Sequence, residues 1–233
     1  MKKTKYNDSQ IPIDFSFITT KNFENYIPGP NIEIINALVE FSNTIKSSII
    51  MLKGKKGSGK SHLCRAVYHA SPKNIILLDS KNINEFYDIN NSTDDILIID
   101  NIDSLIQNHN CEEKIFAFIN EFILNKKNIL ITSSLRLNEI DFQIPDLTSR
   151  LKWGLSFKIN ELNDEEKIQV LKKYALERGF LLPAHVCDYI MSHFTRDLYF
   201  LCNSLKFFDE KSLSLRKKIT IPFIKSIIKY KDN

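Results

Sequence analysis

The 233-residue sequence predicts an α/β fold: a mostly parallel sheet in an αβα sandwich, followed by a small helical domain. Three observations predict it. Short apolar runs alternate with stretches of helical periodicity as far as residue 159. One run leads directly into a complete glycine-rich phosphate-loop pattern, and that loop into a helix. After residue 159 the apolar runs stop and only helical periodicity continues.

Taken in order, residues 1–20 read as an N-terminal arm with one apolar island, Gln10-Ile11-Pro12-Ile13-Asp14-Phe15. Pro28-Gly29-Pro30 marks a turn, and Asn31 is placed to cap a helix through Ile34, Ile35, Leu38 and Val39. Five apolar runs follow: Ser48 to Leu52, Asn74 to Leu78, Ile96 to Ile99, Asn128 to Thr132 and Leu155 to Ile159. Most are rich in Ile or Leu at successive positions, which suits strands buried on both faces. Helices are expected between them over Lys60 to His69, Glu112 to Leu124 and Asp146 to Leu151. The α/β domain thus covers residues 21–159. Residues 160–233 form the helical domain. Asn163 or Asp164 caps its first helix, which runs through Ile168, Leu171 and Ala175 and stops at Gly179. Pro183 opens the second helix, Arg196 to Phe208 make the third, and Ile221 to Tyr230 the fourth.

Composition narrows the function classes. A chain that is 43% hydrophobic and 26% charged can bury a core without disulfides or metals. Its net charge of +4 permits contact with nucleic acid without arguing for it. Cys64, Cys111, Cys187 and Cys202 form no C-x-x-C pair and have no His at ligand spacing, so four reduced thiols in a cytoplasmic protein are expected. Neither a secretory signal nor an apolar stretch long enough for a membrane span is read.

Gly54-Lys55-Lys56-Gly57-Ser58-Gly59-Lys60-Ser61 matches G-x-x-x-x-G-K-[ST] in every position. The chemistry needs these residue types. Glycines let backbone N–H groups turn towards phosphate oxygens, and the following helix adds its positive end. Lys60 reaches the β- and γ-phosphates of such a ligand, and Ser61 ligates Mg2+. Ile96-Leu97-Ile98-Ile99-Asp100 is an apolar run ending in a carboxylate, the arrangement that holds Mg2+ from the opposite side. The next residue is Asn101, which cannot accept a proton from water. Asp103 stands three residues from Asp100, a spacing that does not suit a substitute. Slow or absent hydrolysis with binding retained is therefore expected. The competing reading has another group orient the water.

These residues resemble the DnaA-related AAA+ family, and more closely its shorter Hda-type members, regulatory inactivators of DnaA. The resemblance runs over nearly the whole chain. Phe23 to Gly29 resembles the segment bordering adenine, which implies nucleotide contacts from Tyr26 and Ile27. Gly54 to Leu63 matches the loop and the Ser-His-Leu that closes it, adding His62. Ile99-Asp100-Asn101-Ile102 is similar to the Hda form of the acidic strand end. Ile144 to Gly154 is similar to the segment carrying an arginine finger, here Arg150. Thr195-Arg196-Asp197-Leu198 resembles a lid helix that contacts nucleotide through Arg196, and Lys218 to Ile228 the closing lid helix. The plainer readings are a salt bridge for Arg150 before Trp153, and an ordinary helix N-terminus for Arg196. Trp153 is read as a packing residue. Ile131-Thr132-Ser133-Ser134 departs from the family, which often has Asp where Ser134 stands, and no role is assigned to Ser134.

The resemblance implies a function. Gln10, Ile11, Ile13 and Phe15 are similar to a motif that docks on the DNA polymerase sliding clamp (beta subunit), one hydrogen-bonding side chain and three apolar anchors for a groove. The body would bind ADP or ATP with Mg2+, pair with DnaA and stimulate hydrolysis of DnaA-bound ATP through Arg150. Only Lys231-Asp232-Asn233 follow the last helix, where DnaA continues into a DNA-binding domain, so no sequence-specific DNA binding is expected. A homodimer is compatible with the family. Two rivals stand beside this: a self-sufficient ATPase of helicase-loader type, and a passive clamp adaptor.

Overall fold

A computed structural model describes residues 21–83, 93–106 and 109–229. Gln10, Ile11, Ile13 and Phe15 lie outside the described residues. The chain divides into two units between Asn163 and Asp164.

In the first unit Ile49–Lys53 (β1), Ile75–Leu78 (β2), Ile96–Ile99 (β3), Asn128–Ser133 (β4) and Leu155–Lys158 (β5) form one sheet. Its order is β2-β3-β4-β1-β5, and each neighbouring pair is parallel. Side chains alternate across the sheet. Met51, Leu97, Ile99 and Ile131 enter one apolar layer with Ile102–Leu105 (α3), His109–Leu124 (α4) and Pro145–Leu151 (α5). Leu52, Ile96, Ile98 and Leu130 enter the other with Ile32–Asn43 (α1) and Lys60–Ala70 (α2). The central strands are apolar at successive positions because both faces are covered. On α1, Ile34, Leu38 and Phe41 are buried, the one-face spacing of a helix. Phe118 and Phe122 on α4 are almost wholly enclosed; truncating either to Ala would cost about 3–5 kcal/mol.

Parallel pairing brings the C-terminal ends of the strands to one edge. Lys53 of β1 pairs with Ser133 of β4, and Ile99 of β3 with Ile131 of β4. The end of β4 therefore lies between the loop leaving β1 and the residues leaving β3.

Two buried asparagines fasten this unit. Asn128 Oδ1 accepts from the backbone N–H groups of Lys46 and Ser48 and from the Ser48 hydroxyl, each at 3.1 Å. Its Nδ2 donates to the carbonyl oxygens of Phe41 at 3.2 Å and Thr44 at 2.6 Å. Asn31 makes no side-chain cap to α1, contrary to the sequence expectation. Both ends of its carboxamide instead bond the backbone of Asn160, at 2.7 and 3.1 Å, just past β5. Trp153 also departs from expectation. It is 69% exposed at the entry to β5, which pairs with β1 alone among the described residues. The one-turn helix α3 is too short for periodicity to reveal.

The second unit has its own core. Asp164–Glu177 (α6), Ala184–His193 (α7), Leu198–Leu215 (α8) and Ile221–Lys229 (α9) enclose Leu171, Val186, Ile190, Leu201, Leu205 and Ile224. Gly179, at φ 82°, ends α6: its N–H bonds Leu176 and that of Phe180 bonds Ala175, the paired closure that requires a left-handed residue. Arg216 closes α8 in the same way at φ 51°. Asp197 caps α8, its Oδ1 accepting from the Phe200 N–H at 2.8 Å. The third helix therefore starts at Leu198, and Arg196 precedes it. Among the described residues, no helix is long and apolar enough to cross a membrane.

Candidate functional site

The phosphate-loop pattern forms the turn between β1 and α2. Gly57 and Gly59 have φ of 81° and 97°, a region that side chains other than glycine disfavour. A Cβ on Gly59 would also lie 2.7 Å from Tyr26 Cε2, so the Tyr26 ring is packed onto the loop. Tyr26 lies edge-on to His62 with centroids 5.3 Å apart, and His62 Nε2 donates to the Asn22 carbonyl oxygen at 2.9 Å. Burial pushes the Tyr26 phenol up to about 12. Ile27 follows in the same segment, half-buried. Segment 22–26 is thereby fixed against the start of α2. Two side-chain-to-backbone bonds between Asn22 and Asn25, at 2.8 and 2.9 Å, hold its own turn.

Lys60, the first residue of α2, is 7% exposed. Its Nζ donates to Gly54 O at 2.6 Å, Lys55 O at 3.1 Å and Ser134 Oγ at 3.1 Å. Burial lowers its pKa; Asp103, then Asp100, oppose that shift. Ser61 is exposed on the first turn of α2, whose N-cap Gly59 supplies no side-chain bond.

Asp100 leaves β3 on the same edge. Its Oδ1 accepts from Thr132 Oγ1 at 2.7 Å, and the Cys64 thiol lies 3.9 Å away. Burial, and secondly the nearby Asp100, push the Cys64 thiol well up, so it remains an uncharged core group. Asn101 is left-handed at φ 62°. Its N–H donates to Thr132 Oγ1 at 2.8 Å, and its Oδ1 accepts from Ser134 Oγ at 3.2 Å. Asp103 Oδ1 accepts from the Ser134 N–H at 3.0 Å. Thr132 and Ser134, at the hydroxyl-rich end of β4, thus join Lys60 to Asp100, Asn101 and Asp103. Sequence reasoning gave neither a role. The available signal was the change from Ile to Thr-Ser-Ser at the end of a central strand.

These residues fit the phosphates of a nucleotide and a divalent cation. Ser58 Oγ is buried without a hydrogen-bond partner, and a Cβ on Gly54 would sit 2.4 Å from it, so the loop is a close cradle lined by a donor. A helix N-terminus and an ammonium converge there, and Ser61 and Asp100 are the residues that could offer Mg2+ a hydroxyl and a carboxylate.

Arg150 lies in the last turn of α5. Leu147 and Leu151 bury the inner face of that helix. Pro145 starts it, and Asp146 and Arg150 complement its dipole. The Arg150 guanidinium carbon lies 5.4 Å from the centre of the Phe116 ring on α4. Its Nε is buried without a hydrogen-bond partner, and it forms no salt bridge among the described residues. The ion-pair reading of Arg150 therefore has no partner. Arg196 belongs to the helical unit, where it pairs with Asp164 Oδ2 at 2.5 Å at the start of α6.

Comparison with known proteins follows this division. Residues 18–158 match the bacterial DnaA ATPase domain, and residues 164–228 match the Hda lid domain. An uncharacterized protein of Haemophilus influenzae is 30% identical over 228 residues, covering 95% of this chain and 99% of that one. Domain III of the Thermotoga maritima replication initiation protein DnaA superposes with a TM-score of 0.79 at 20% identity, over 91% of this chain and 96% of that one. AMPPCP-bound DnaA of Aquifex aeolicus gives 0.64 at 20% identity, over 82% and 65%. At such identities the two solved structures show a common fold.

Proposed function

The chain belongs to the bacterial DnaA ATPase-domain family of AAA+ proteins and carries an Hda-type lid, and from that premise we propose that it negatively regulates replication initiation by acting on ATP-bound DnaA. Gly54, Gly57, Ser58, Gly59, Lys60 and Ser61 hold the phosphates of ADP or ATP. Tyr26, Ile27 and His62 border the nucleotide, and Ser61 with Asp100 hold Mg2+. The cation neutralises phosphate charge when bound. Arg150 reaches the γ-phosphate of ATP on DnaA, where a guanidinium stabilises charge that develops during hydrolysis. Gln10, Ile11, Ile13 and Phe15 dock the arm on the sliding clamp. The setting of this reading is the cytoplasm.

Arg150 is the observation that carries this reading: a guanidinium with a buried, unpaired N–H and no ion partner among the described residues. It stands in a chain whose own cradle has Asn101 where a proton acceptor would stand. The test is hydrolysis of DnaA-bound ATP in the presence of DNA-loaded clamp. Intact protein should accelerate it, and Arg150→Ala should remove a thousandfold or more of that acceleration. Equal acceleration by both would assign the effect to something other than Arg150. Clamp binding without acceleration by either would make the protein an adaptor.

A further inference from the structure

Glu112 Oε2 on α4 and Arg150 Nε on α5 are buried without a hydrogen-bond partner, as is Asn120 Oδ1 further along α4. Glu112 on α4 is wholly buried, where carboxylates are rare. An apolar side chain would fill that place without leaving an oxygen unsatisfied. The other oxygen has a task. Oε1 accepts from the N–H of Ile144 at 2.7 Å, the residue immediately before α5. Phe116 stands four residues further along α4 and so shares a face with Glu112, about 5–6 Å away. Its ring carries the Arg150 guanidinium. One face of α4 thus holds α5 at both ends, by a hydrogen bond at the entry and by an aromatic ring at the exit.

We infer that Glu112 and Phe116 are the mount of Arg150, positioning residues that set where its guanidinium emerges. This rests on the reading of Arg150 as the group that acts on a partner's ATP. The mount acts through α5 and touches neither nucleotide. Trp153, the only tryptophan of the chain, gives an independent view of the same helix. It is exposed, and its backbone N–H donates to Arg150 O at 3.2 Å. Its fluorescence anisotropy therefore reports the order of the α5 exit with no partner present.

The experiment compares the intact protein with Glu112→Gln, Glu112→Ala, Phe116→Leu and Arg150→Ala. It measures the maximal acceleration of partner-bound ATP hydrolysis, the half-saturating concentration and Trp153 anisotropy. Glu112→Gln keeps an acceptor for the Ile144 N–H and should behave as intact protein. Glu112→Ala and Phe116→Leu should lower the maximal rate by ~10- to 100-fold, the scale of a misplaced reacting group, and leave half-saturation within about threefold. Their Trp153 anisotropy should fall. Normal rates and anisotropy in both variants, beside an inactive Arg150→Ala, would overturn the mount while leaving the role of Arg150 intact. So would a Glu112→Gln as defective as Glu112→Ala. Full acceleration by Arg150→Ala would instead remove the reading of Arg150, and anisotropy alone would decide the mount. Should Glu112→Ala fail to fold, Phe116→Leu carries the comparison.

Discussion

The sheet edge buries one cation and the α4–α5 wall half-buries another, and they treat them in opposite ways. Lys60 donates to three oxygens and has Asp103 and Asp100 near it. Arg150 has one aromatic ring beneath it and an N–H left without a partner. A buried charge is ordinarily paired, because desolvation without compensation is costly. Lys60 follows that rule and belongs to a site completed within its own unit. Half-buried Arg150 departs from it at its buried Nε and belongs to a surface whose complement lies elsewhere under the proposed function.

Three measurements break or sharpen this contrast. The largest effect is expected at a third cation, Arg178, which shows what a fold-holding arginine looks like. Its Nε donates to Asp209, 4% exposed, and its guanidinium also lies over Tyr174. Arg178→Ala should cost ~2–4 kcal/mol in denaturant unfolding, since it strands a buried carboxylate, with the lower end reflecting a side chain still 27% exposed. Second, Lys60→Ala should weaken binding of a fluorescent ADP by about 100-fold, the scale of a lost charged hydrogen bond. A change within threefold would detach the loop from nucleotide binding. The smallest effect is expected from Arg150→Ala on stability: less than about 1 kcal/mol, the worth of a ring contact. A loss as large as that for Arg178→Ala would make Arg150 a structural residue and dissolve the contrast.

Several of these features were legible in the sequence because local chemistry dictates them. Ile96–Ile99 reads as a strand buried on both sides, and is one. The loop from Gly54 to Ser61 announces its own conformation, since only glycine suits the left-handed positions at 57 and 59. The helices of the second unit follow from periodicity, Gly179 and Pro183. What stayed hidden depends on residues far apart in the chain. Asn128 looks like the first residue of an apolar run, and nothing near it shows that it clasps residues 41–48. Asn31 looks like a cap until Asn160 is beside it. Glu112 is only the first residue of an expected helix until Ile144 meets it from 32 residues away. Ser134 acquires its place only when parallel register sets β4 between β1 and β3. Arg196 reads as the start of a helix, but Asp197, one residue on, holds the capping position.

The sheet order also sets a timetable. Among the described residues, the strand that leads into the Gly54–Ser61 loop, β1, pairs with β4 and β5, both later in the chain. A ribosome adding ~5–20 residues per second needs roughly 4–15 s to travel from Lys53 to Asn128. For that interval Ile49–Lys53 lacks its strand partners β4 and β5, and the Asn128 clasp that ties its approach has not yet been made. Strand β3, ending at Asp100, emerges after its neighbour β2 and can pair with it at once. The strand that leads to Asp100 can thus pair before the strand that leads into the Gly54–Ser61 loop, and β4, which bonds Asp100 through Thr132, is the piece that joins them.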